Sequence, residues 1–153
     1  MPPRYFEDFE SLVGHTIELG TCEFTSDSIT AFAREYDPQP MHTDPERAKT
    51  SIYGGLIASG WQTAVTYMRM LVDRLVNGTE SLGSPGLDSL RWLRPVRPGD
   101  TLLARFTILE TRSSRSRPDR GIVRSRGEML NQHGEVVMDV EAVNFFGRRP
   151  QGD

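Results

Sequence analysis

The chain has 153 residues, of which 37% are hydrophobic and 25% charged, and its formal net charge is −3. This composition is ordinary for one globular domain that folds without disulfides or a metal, and the charge gives no reason to expect nucleic acid. The single cysteine, Cys22, excludes an internal disulfide and suits a reducing compartment, so we expect a cytoplasmic protein. We expect no signal peptide and no membrane partner, because no apolar run reaches the ~18 residues of a membrane span.

The N-terminal part of the chain predicts a strand followed by a short helix. Residues 15–25 are rich in Thr, Ile and Phe, which is typical of a strand. Residues 26–36 predict a helix with one apolar face and with either Ser26 or Asp27 as its N-cap. Pro38 ends this helix, because the residue before a proline disfavours the helical conformation.

A segment rich in proline and glycine comes next. Residues 37–60 contain three prolines and three glycines, and we expect only a short helical turn there, beginning at Pro45. An irregular segment of this length within a compact domain is more often functional than not.

Residues 61–77 predict the longest helix of the chain. Ser59 is a suitable N-cap, and Gly78 is a suitable stop. Apolar residues recur with helical spacing, and we interpret their stripe as a surface that faces the core; its members are Trp61, Ala64, Val65, Met68, Leu71, Val72 and Leu75.

The remainder of the chain predicts β structure. After a Gly/Ser/Pro loop at 77–86, strands are expected near residues 86–94, 100–112, 120–131 and 135–147. One long helix with one strand before it and four after it predicts a single α+β domain, in which a curved antiparallel sheet packs against the helix. The open edges of such a sheet favour pairing with a second copy of the chain.

The stretch EYDPQPMHTDPERA places Asp37 five residues before His42. An Asp–His pair can perform general acid–base chemistry near neutral pH, and the two prolines between them restrict the backbone. The spacing alone fits an exposed Asp-Pro turn equally well. Further along, Gly60 stands at the start of the long helix, where unpaired backbone N–H groups can stabilise an oxyanion. The glycines of this segment also fit a purely structural role in tight turns.

Three stretches together resemble the MaoC-like dehydratases, the (R)-specific enoyl-CoA hydratase group of the hot-dog fold. They are YDPQPMHTDPERA, YGGLIASGW and LRWLRPVRPGDTL. The resemblance covers about residues 10–147 and implies one hot-dog domain over residues 1–153, with a curved antiparallel sheet wrapped around the long helix. It also implies a homodimer, or a higher oligomer of dimers, with the sites near the interface.

The resemblance implies a hydro-lyase of fatty acid metabolism that adds water to a trans-2-enoyl-CoA to give (3R)-hydroxyacyl-CoA, or the reverse. Asp37 and His42 would hold and activate the water, and the N–H of Gly60 would stabilise the enolate oxygen. The family usually has Asn where this chain has Gln39, and often His where it has Ser59. Both departures bear on the choice of substrate.

Substrate contacts are expected from Gln39, Tyr53, Gly55, Ser59 and Trp61. Coenzyme A is expected as part of the substrate, with no metal and no further cofactor. Two other functions remain open. The chain could be a non-catalytic acyl-CoA-binding module, or it could be a hot-dog thioesterase, although the Asp–His spacing matches the hydratase pattern.

Several basic residues have weaker functional claims. His15 and His133 are expected to be structural or exposed. An arginine cluster late in the chain is either a solvated face or a contact surface for the phosphates of coenzyme A; it comprises Arg112, Arg115, Arg117, Arg120, Arg124 and Arg126. A vaguer claim of the same kind applies to Arg91, Arg94 and Arg97.

Overall fold

Five antiparallel strands form one curved sheet in the computed structural model, which describes residues 2–152. The strands are β1 (Thr16–Glu23), β2 (Ser81–Trp92), β3 (Thr101–Ser113), β4 (Arg120–Leu130) and β5 (Val136–Gly147). Their order in the sheet is β1-β3-β4-β5-β2, so β1 and β2 are the edge strands. The predicted α+β architecture is confirmed.

Helices occupy the first half of the chain. They are α1 (Phe6–Glu10), α2 (Ser26–Tyr36), α3 (Pro40–Thr43), α4 (Pro45–Ala48) and α5 (Gly60–Arg74), and a 3₁₀ turn at Val76–Gly78 follows the last of them. Helix α5 packs against β1, β3 and β4, on one face of the sheet. Within residues 2–152, no helix combines the length and the hydropathy needed to cross a bilayer.

Alternation along the strands builds the core. In β3, every second side chain is nearly inaccessible to solvent, because successive residues of a strand point to opposite faces of the sheet. The buried members are Leu102, Ala104, Phe106 and Ile108, each at most 2% exposed. The intervening side chains are partly exposed on the other face.

Two short helices were not anticipated from sequence. Helix α1 buries Phe6 and Phe9 completely, and the ring of Phe9 stacks on that of Phe146 with centroids 4.3 Å apart. Helix α3 begins at Pro40 within the segment predicted to be irregular. A single turn of helix is too short to show an apolar period, so tertiary contacts decide its conformation.

Two local predictions were wrong. The N-cap of α2 is Thr25, which precedes both predicted candidates, Ser26 and Asp27, and its hydroxyl accepts a hydrogen bond from the Ser28 N–H at 3.0 Å. The loop predicted at 77–86 is also largely strand, because β2 begins at Ser81. Its register against β5 shifts on both sides of Gly83, whose φ of 91° suits a bulge.

The apolar stripe of α5 is not wholly a core surface, contrary to prediction. Trp61, Val65 and Met68 are each more than half exposed. Leu71 and Leu75 of the stripe are buried as predicted, and Tyr67, outside the stripe, is buried with them. The helix carries apolar residues on two sides, so its period alone could not indicate which side contacts the sheet.

Replacement of Gly121 by alanine should destabilise the fold. An added Cβ at this position in β4 would overlap with the ring of Phe6, which is completely buried. Overpacking of this kind typically costs about 1–3 kcal/mol. Urea unfolding of Gly121→Ala measures the loss, and Gly78→Ala is the control, because an added Cβ there meets nothing within 4 Å. Equal stability of the two variants would contradict this account of the packing.

Candidate active site

The end of α2 and the start of α3 bring Asp37 and His42 together. Asp37 is the C-cap of α2, and its N–H donates to the carbonyl of Ala33 at 2.8 Å. The chain then turns through a proline into α3, where Pro40 is the first residue. His42 lies on this single helical turn, and its Nε2 is 3.4 Å from Oδ2 of Asp37.

Hydrogen bonding sets the orientation of the His42 ring. The imidazole is only 5% exposed, and its Nδ1 lies 2.8 Å from the carbonyl oxygen of Ile57. A carbonyl can only accept, so Nδ1 carries a proton and donates it to Ile57. The Nε2 atom therefore faces Asp37, and it is the ring atom available for proton exchange.

The carboxylate of Asp37 accepts two hydrogen bonds. Gln39 donates from Nε2 to Oδ1 at 2.6 Å, and Ser59 donates from Oγ to Oδ2 at 2.7 Å. Burial acts to raise the pKa of Asp37, but these two bonds and the attraction of His42 outweigh burial and lower the pKa below its usual value. Asp37 is consequently a carboxylate at neutral pH.

The N-terminus of α5 lies beside this carboxylate. Ser59, only 1% exposed, is the N-cap of the helix, and its Oγ accepts a hydrogen bond from the Trp61 N–H at 3.3 Å. Gly60 is the first residue of the helix, and no acceptor within residues 2–152 bonds to its N–H. A free N–H at this position can donate to a ligand oxygen.

Trp92 explains why position 60 is a glycine. The indole Nε1 of Trp92 donates to the carbonyl oxygen of Gly60 at 2.7 Å. A Cβ on Gly60 would lie 2.5–2.7 Å from atoms of that ring, which is too close for any side chain. The Trp92 ring also meets the Trp61 ring edge-on, with centroids 5.1 Å apart.

A cavity of about 430 Å³ opens onto these groups. Asp37, His42 and Gly60, the three predicted catalytic residues, all line it. Its remaining wall is largely apolar, with Arg94 at one side; the other lining residues are Met41, Tyr53, Ile57, Ala58, Trp61, Thr63, Trp92, Leu93, Pro95 and Val96. The cavity therefore combines an acid–base pair and a backbone donor with an apolar wall.

The five expected substrate contacts take different places. Tyr53 and Trp61 line the cavity. Gln39 and Ser59 lie outside its lining and are bonded to Asp37 instead. Gly55 also lies outside the lining. The catalytic and substrate-binding roles of all these residues remain predictions.

Sequence reasoning did not place Trp92 at the cavity, and it gave Arg94 only a vague claim to contact the phosphates of coenzyme A. Trp92 lies in a stretch that was quoted only for its resemblance, and nothing in that stretch indicates that its indole would reach Gly60. Arg94 lines the cavity and forms an ion pair with Glu135 at 3.0 Å. Trp92 ends β2 and Arg94 lies in the turn after it, about twenty residues beyond the end of α5. Only the folded chain brings them to the site.

The other basic residues lie elsewhere. His15 and His133 are exposed. In the described part of the chain, no member of the arginine cluster lines the cavity. Arg124 pairs with Asp88 at 2.9 Å, and Arg126 pairs with Glu141 at 2.6 Å. No group of three or more His, Cys, Asp or Glu side chains that could hold a metal ion occurs between residues 2 and 152.

Known proteins share this fold and much of this sequence. The chain is 32% identical over 101 residues to the protein YdeM of Bacillus subtilis, a match that covers 66% of this chain and 70% of YdeM. The MaoC-like dehydratase structure from Rhodospirillum rubrum is 42% identical, with a TM-score of 0.88 over 97% of this chain and all of that one.

The R-hydratase PhaJ1 from Pseudomonas aeruginosa, in its unliganded form, is 25% identical. Its TM-score is 0.76, and the match covers 97% of this chain and 92% of that one. These neighbours confirm the hot-dog fold. The family model described as "MaoC like domain" matches residues 8–126, so the chain belongs to the MaoC-like domain family.

Proposed function

We propose that this protein is a hydro-lyase that adds water to the double bond of a trans-2-enoyl thioester, giving a (3R)-hydroxyacyl thioester, or catalyses the reverse dehydration. One observation carries the proposal. The Asp37–His42 pair, with 3.4 Å between Oδ2 and Nε2, lines the same cavity as a Gly60 N–H that has no acceptor within residues 2–152. General acid–base groups and an oxyanion donor are the two requirements of this reaction.

In the hydration direction, Asp37 and His42 hold one water molecule. The water loses a proton to the pair as its oxygen forms a bond to the β-carbon of the substrate. The π electrons of the double bond move toward the thioester carbonyl, and an enolate forms. The enolate then takes a proton at its α-carbon, which restores the carbonyl and completes the net addition of H and OH.

Charge develops on the thioester oxygen during this step, so a donor near that oxygen lowers the barrier. The N–H of Gly60 belongs to the first turn of α5, where the helix dipole also favours negative charge. The Trp92 indole donates a hydrogen bond to the Gly60 carbonyl oxygen at 2.7 Å, and this bond restrains the residue whose N–H is the proposed donor. A restrained donor needs no reorganisation as charge develops.

The relatives support the same reaction class. The Rhodospirillum rubrum structure is described as a MaoC-like dehydratase, and the Pseudomonas aeruginosa structure is described as an R-hydratase. The proposed (3R) product follows that likeness. Coenzyme A is proposed as the carrier, and the cytoplasm as the location on the sequence argument from a single cysteine.

Replacement of either acid–base residue should lower the rate sharply. We expect Asp37→Asn and His42→Ala each to reduce kcat/KM for hydration of crotonyl-CoA by roughly 10²–10⁴-fold, because each removes a proton-handling group. Loss of the enoyl-thioester absorbance measures the rate, and chiral analysis of the product tests the (3R) outcome.

His133→Ala is the control for this experiment, because His133 is an exposed turn residue outside the cavity lining. Unchanged rates in the Asp37 and His42 variants would show that the pair is not catalytic. Binding of acyl-CoA thioesters of every chain length without turnover would identify a binding module. Release of free thiol would identify a thioesterase.

We also propose that the protein forms a homodimer through the β2 edge and the outer side of α5. The edge strand β2 exposes Leu87, and α5 exposes Trp61, Val65 and Met68, each more than half accessible. An apolar cavity of about 270 Å³ lies between these two elements. A second copy that pairs along β2 would cover this apolar surface and satisfy the open edge.

A charge placed on the outer side of α5 should weaken the dimer. We expect Val65→Glu to shift the protein toward the monomer in sedimentation velocity, because dimerisation would then bury an unpaired carboxylate. Val13→Glu is the matched control, because Val13 is also exposed, at 44%, but belongs to neither β2 nor α5. A wild-type protein that is monomeric at micromolar concentration would contradict the proposed dimer.

A further inference from the structure

The proposed reaction leaves the division of the proton between Asp37 and His42 open, and the surroundings of Asp37 bear on it. Oδ1 of Asp37 accepts from Gln39 at 2.6 Å, and Oδ2 accepts from Ser59 at 2.7 Å. Oδ2 also lies 3.4 Å from Nε2 of His42. Donors thus approach both oxygens of this carboxylate, and they compete with any proton transferred to it.

His42 has the complementary arrangement. Its Nδ1 donates to the Ile57 carbonyl at 2.8 Å, and Ile57 itself is held by its N–H, which donates to the carbonyl of Met41 at 3.1 Å. The ring is therefore fixed at Nδ1 and free to exchange a proton only at Nε2. Nε2 faces the carboxylate, and His42 is one of the residues that line the cavity.

Ser59 connects the two halves of the site through one hydroxyl group. As a donor, it bonds Oδ2 of Asp37 at 2.7 Å, and as an acceptor, it receives the Trp61 N–H at 3.3 Å. A hydroxyl group has one proton. Ser59 donates that proton to Asp37, so its oxygen is the acceptor in the bond that caps α5. The carboxylate is thereby tied to the helical turn that carries the Gly60 N–H.

We propose that Ser59 is a positioning residue whose hydroxyl holds Asp37 as a fixed hydrogen-bond acceptor at the N-terminus of α5, so that Nε2 of His42 alone carries the proton. This inference rests on the proposed hydration reaction. Nε2 accepts the proton of the attacking water, and it returns that proton to the α-carbon of the enolate. Asp37 stays ionised throughout, and it stabilises the imidazolium that forms between the two transfers.

Few titratable groups lie near Asp37, so a pH titration of this carboxyl group can test the inference. His42 on α3 is the titratable group of the described chain that faces the carboxylate. The first turn of α5 carries no acidic residue, and Asp44, the N-cap of α4, is bonded to the N–H groups of Glu46 and Arg47. Removal of the Ser59 donor should therefore act on the pKa of Asp37 directly.

The test compares Ser59→Gly with Ser59→Thr. Glycine is tolerated at an N-cap but lacks the hydroxyl, whereas threonine retains both functions. We expect Ser59→Gly to raise the pKa of Asp37, because the carboxylate loses a donor. We expect kcat to fall by up to about 10²-fold in this variant, and Ser59→Thr to stay near the wild type.

Three measurements separate positioning from a purely structural role. The carboxyl ¹³C shift of Asp37 reports its titration, and kcat reports the effect of the substitution on turnover. Trp61 and Trp92, the two tryptophans of the chain, both line the cavity, so their fluorescence reports acyl-CoA binding. We expect the binding affinity to change by less than about threefold while kcat falls, because Ser59 lies outside the cavity lining.

Thr25→Gly is the matched control, because Thr25 caps α2 by its hydroxyl in the same way and is not bonded to Asp37. An Asp37 titration that is equal in Ser59→Gly and the wild type would overturn the inference, as would a loss confined to acyl-CoA affinity. If Ser59→Gly does not fold, Ser59→Ala removes the same hydroxyl, and an unchanged Asp37 titration in that variant would also overturn the inference.

Failure of the inference can be told apart from failure of the proposed function. A wild-type protein that hydrates no enoyl thioester refutes the function, and the ¹³C titration still decides whether Ser59 sets the state of Asp37. A wild-type enzyme whose Ser59→Gly variant keeps the full rate and an unchanged Asp37 titration retains the function and loses the inference.

Discussion

The partly buried carboxylate of Asp37 is the constraint on which the site depends. Its side chain is 19% exposed, so the donors of the surrounding chain must replace most of the water that an ionised group requires. Two parts of the chain donate to it: the turn before α3 presents Gln39, and the N-terminus of α5 presents Ser59. Helix α3 places His42 against the same carboxylate. The ends of α2, α3 and α5 converge at this one charge, and the cavity lies where they meet.

Close contacts between glycine and aromatic rings hold these elements in place. Gly60 leaves room for Trp92, and Gly127 in β4 leaves room for Tyr67 of α5, since an added Cβ would overlap with the ring at either position. The Tyr67 hydroxyl group is deeply buried, which raises its pKa. The depth at which α5 lies on the sheet, and hence the position of the Gly60 N–H, follows from these contacts.

Helix α5 has two roles that its sequence alone does not separate. Tyr67 and Leu71 pack toward the sheet, whereas Val65 and Met68 stand on the outer side beside the edge strand β2. Trp61 borders both the catalytic cavity and the apolar cavity between α5 and β2. The proposed dimer surface and the proposed active site therefore share a residue at the start of the helix, which is consistent with sites near the interface of two copies.

The sequence by itself determined the larger elements. The apolar period of residues 61–77, the alternation of the late strands and the capping ability of Ser59 depend on neighbours within a few positions, and the structure has α5, β3, β4 and β5 close to where they were predicted. The resemblance likewise indicated Asp37, His42 and Gly60, which the fold brings to one cavity. Local pattern is sufficient here because each feature repeats or is contiguous in the chain.

Only the tertiary structure decided which faces are buried and what each polar group bonds. The sequence could not indicate that Ser59 donates to a carboxylate 22 positions earlier, or that Trp92 covers Gly60. It could not show that Gln39 bonds Asp37 rather than lining the cavity, or that Val65 stays exposed. Such contacts join residues that are distant in the chain, and their energy depends on burial and geometry that exist only when the sheet and the helix have packed.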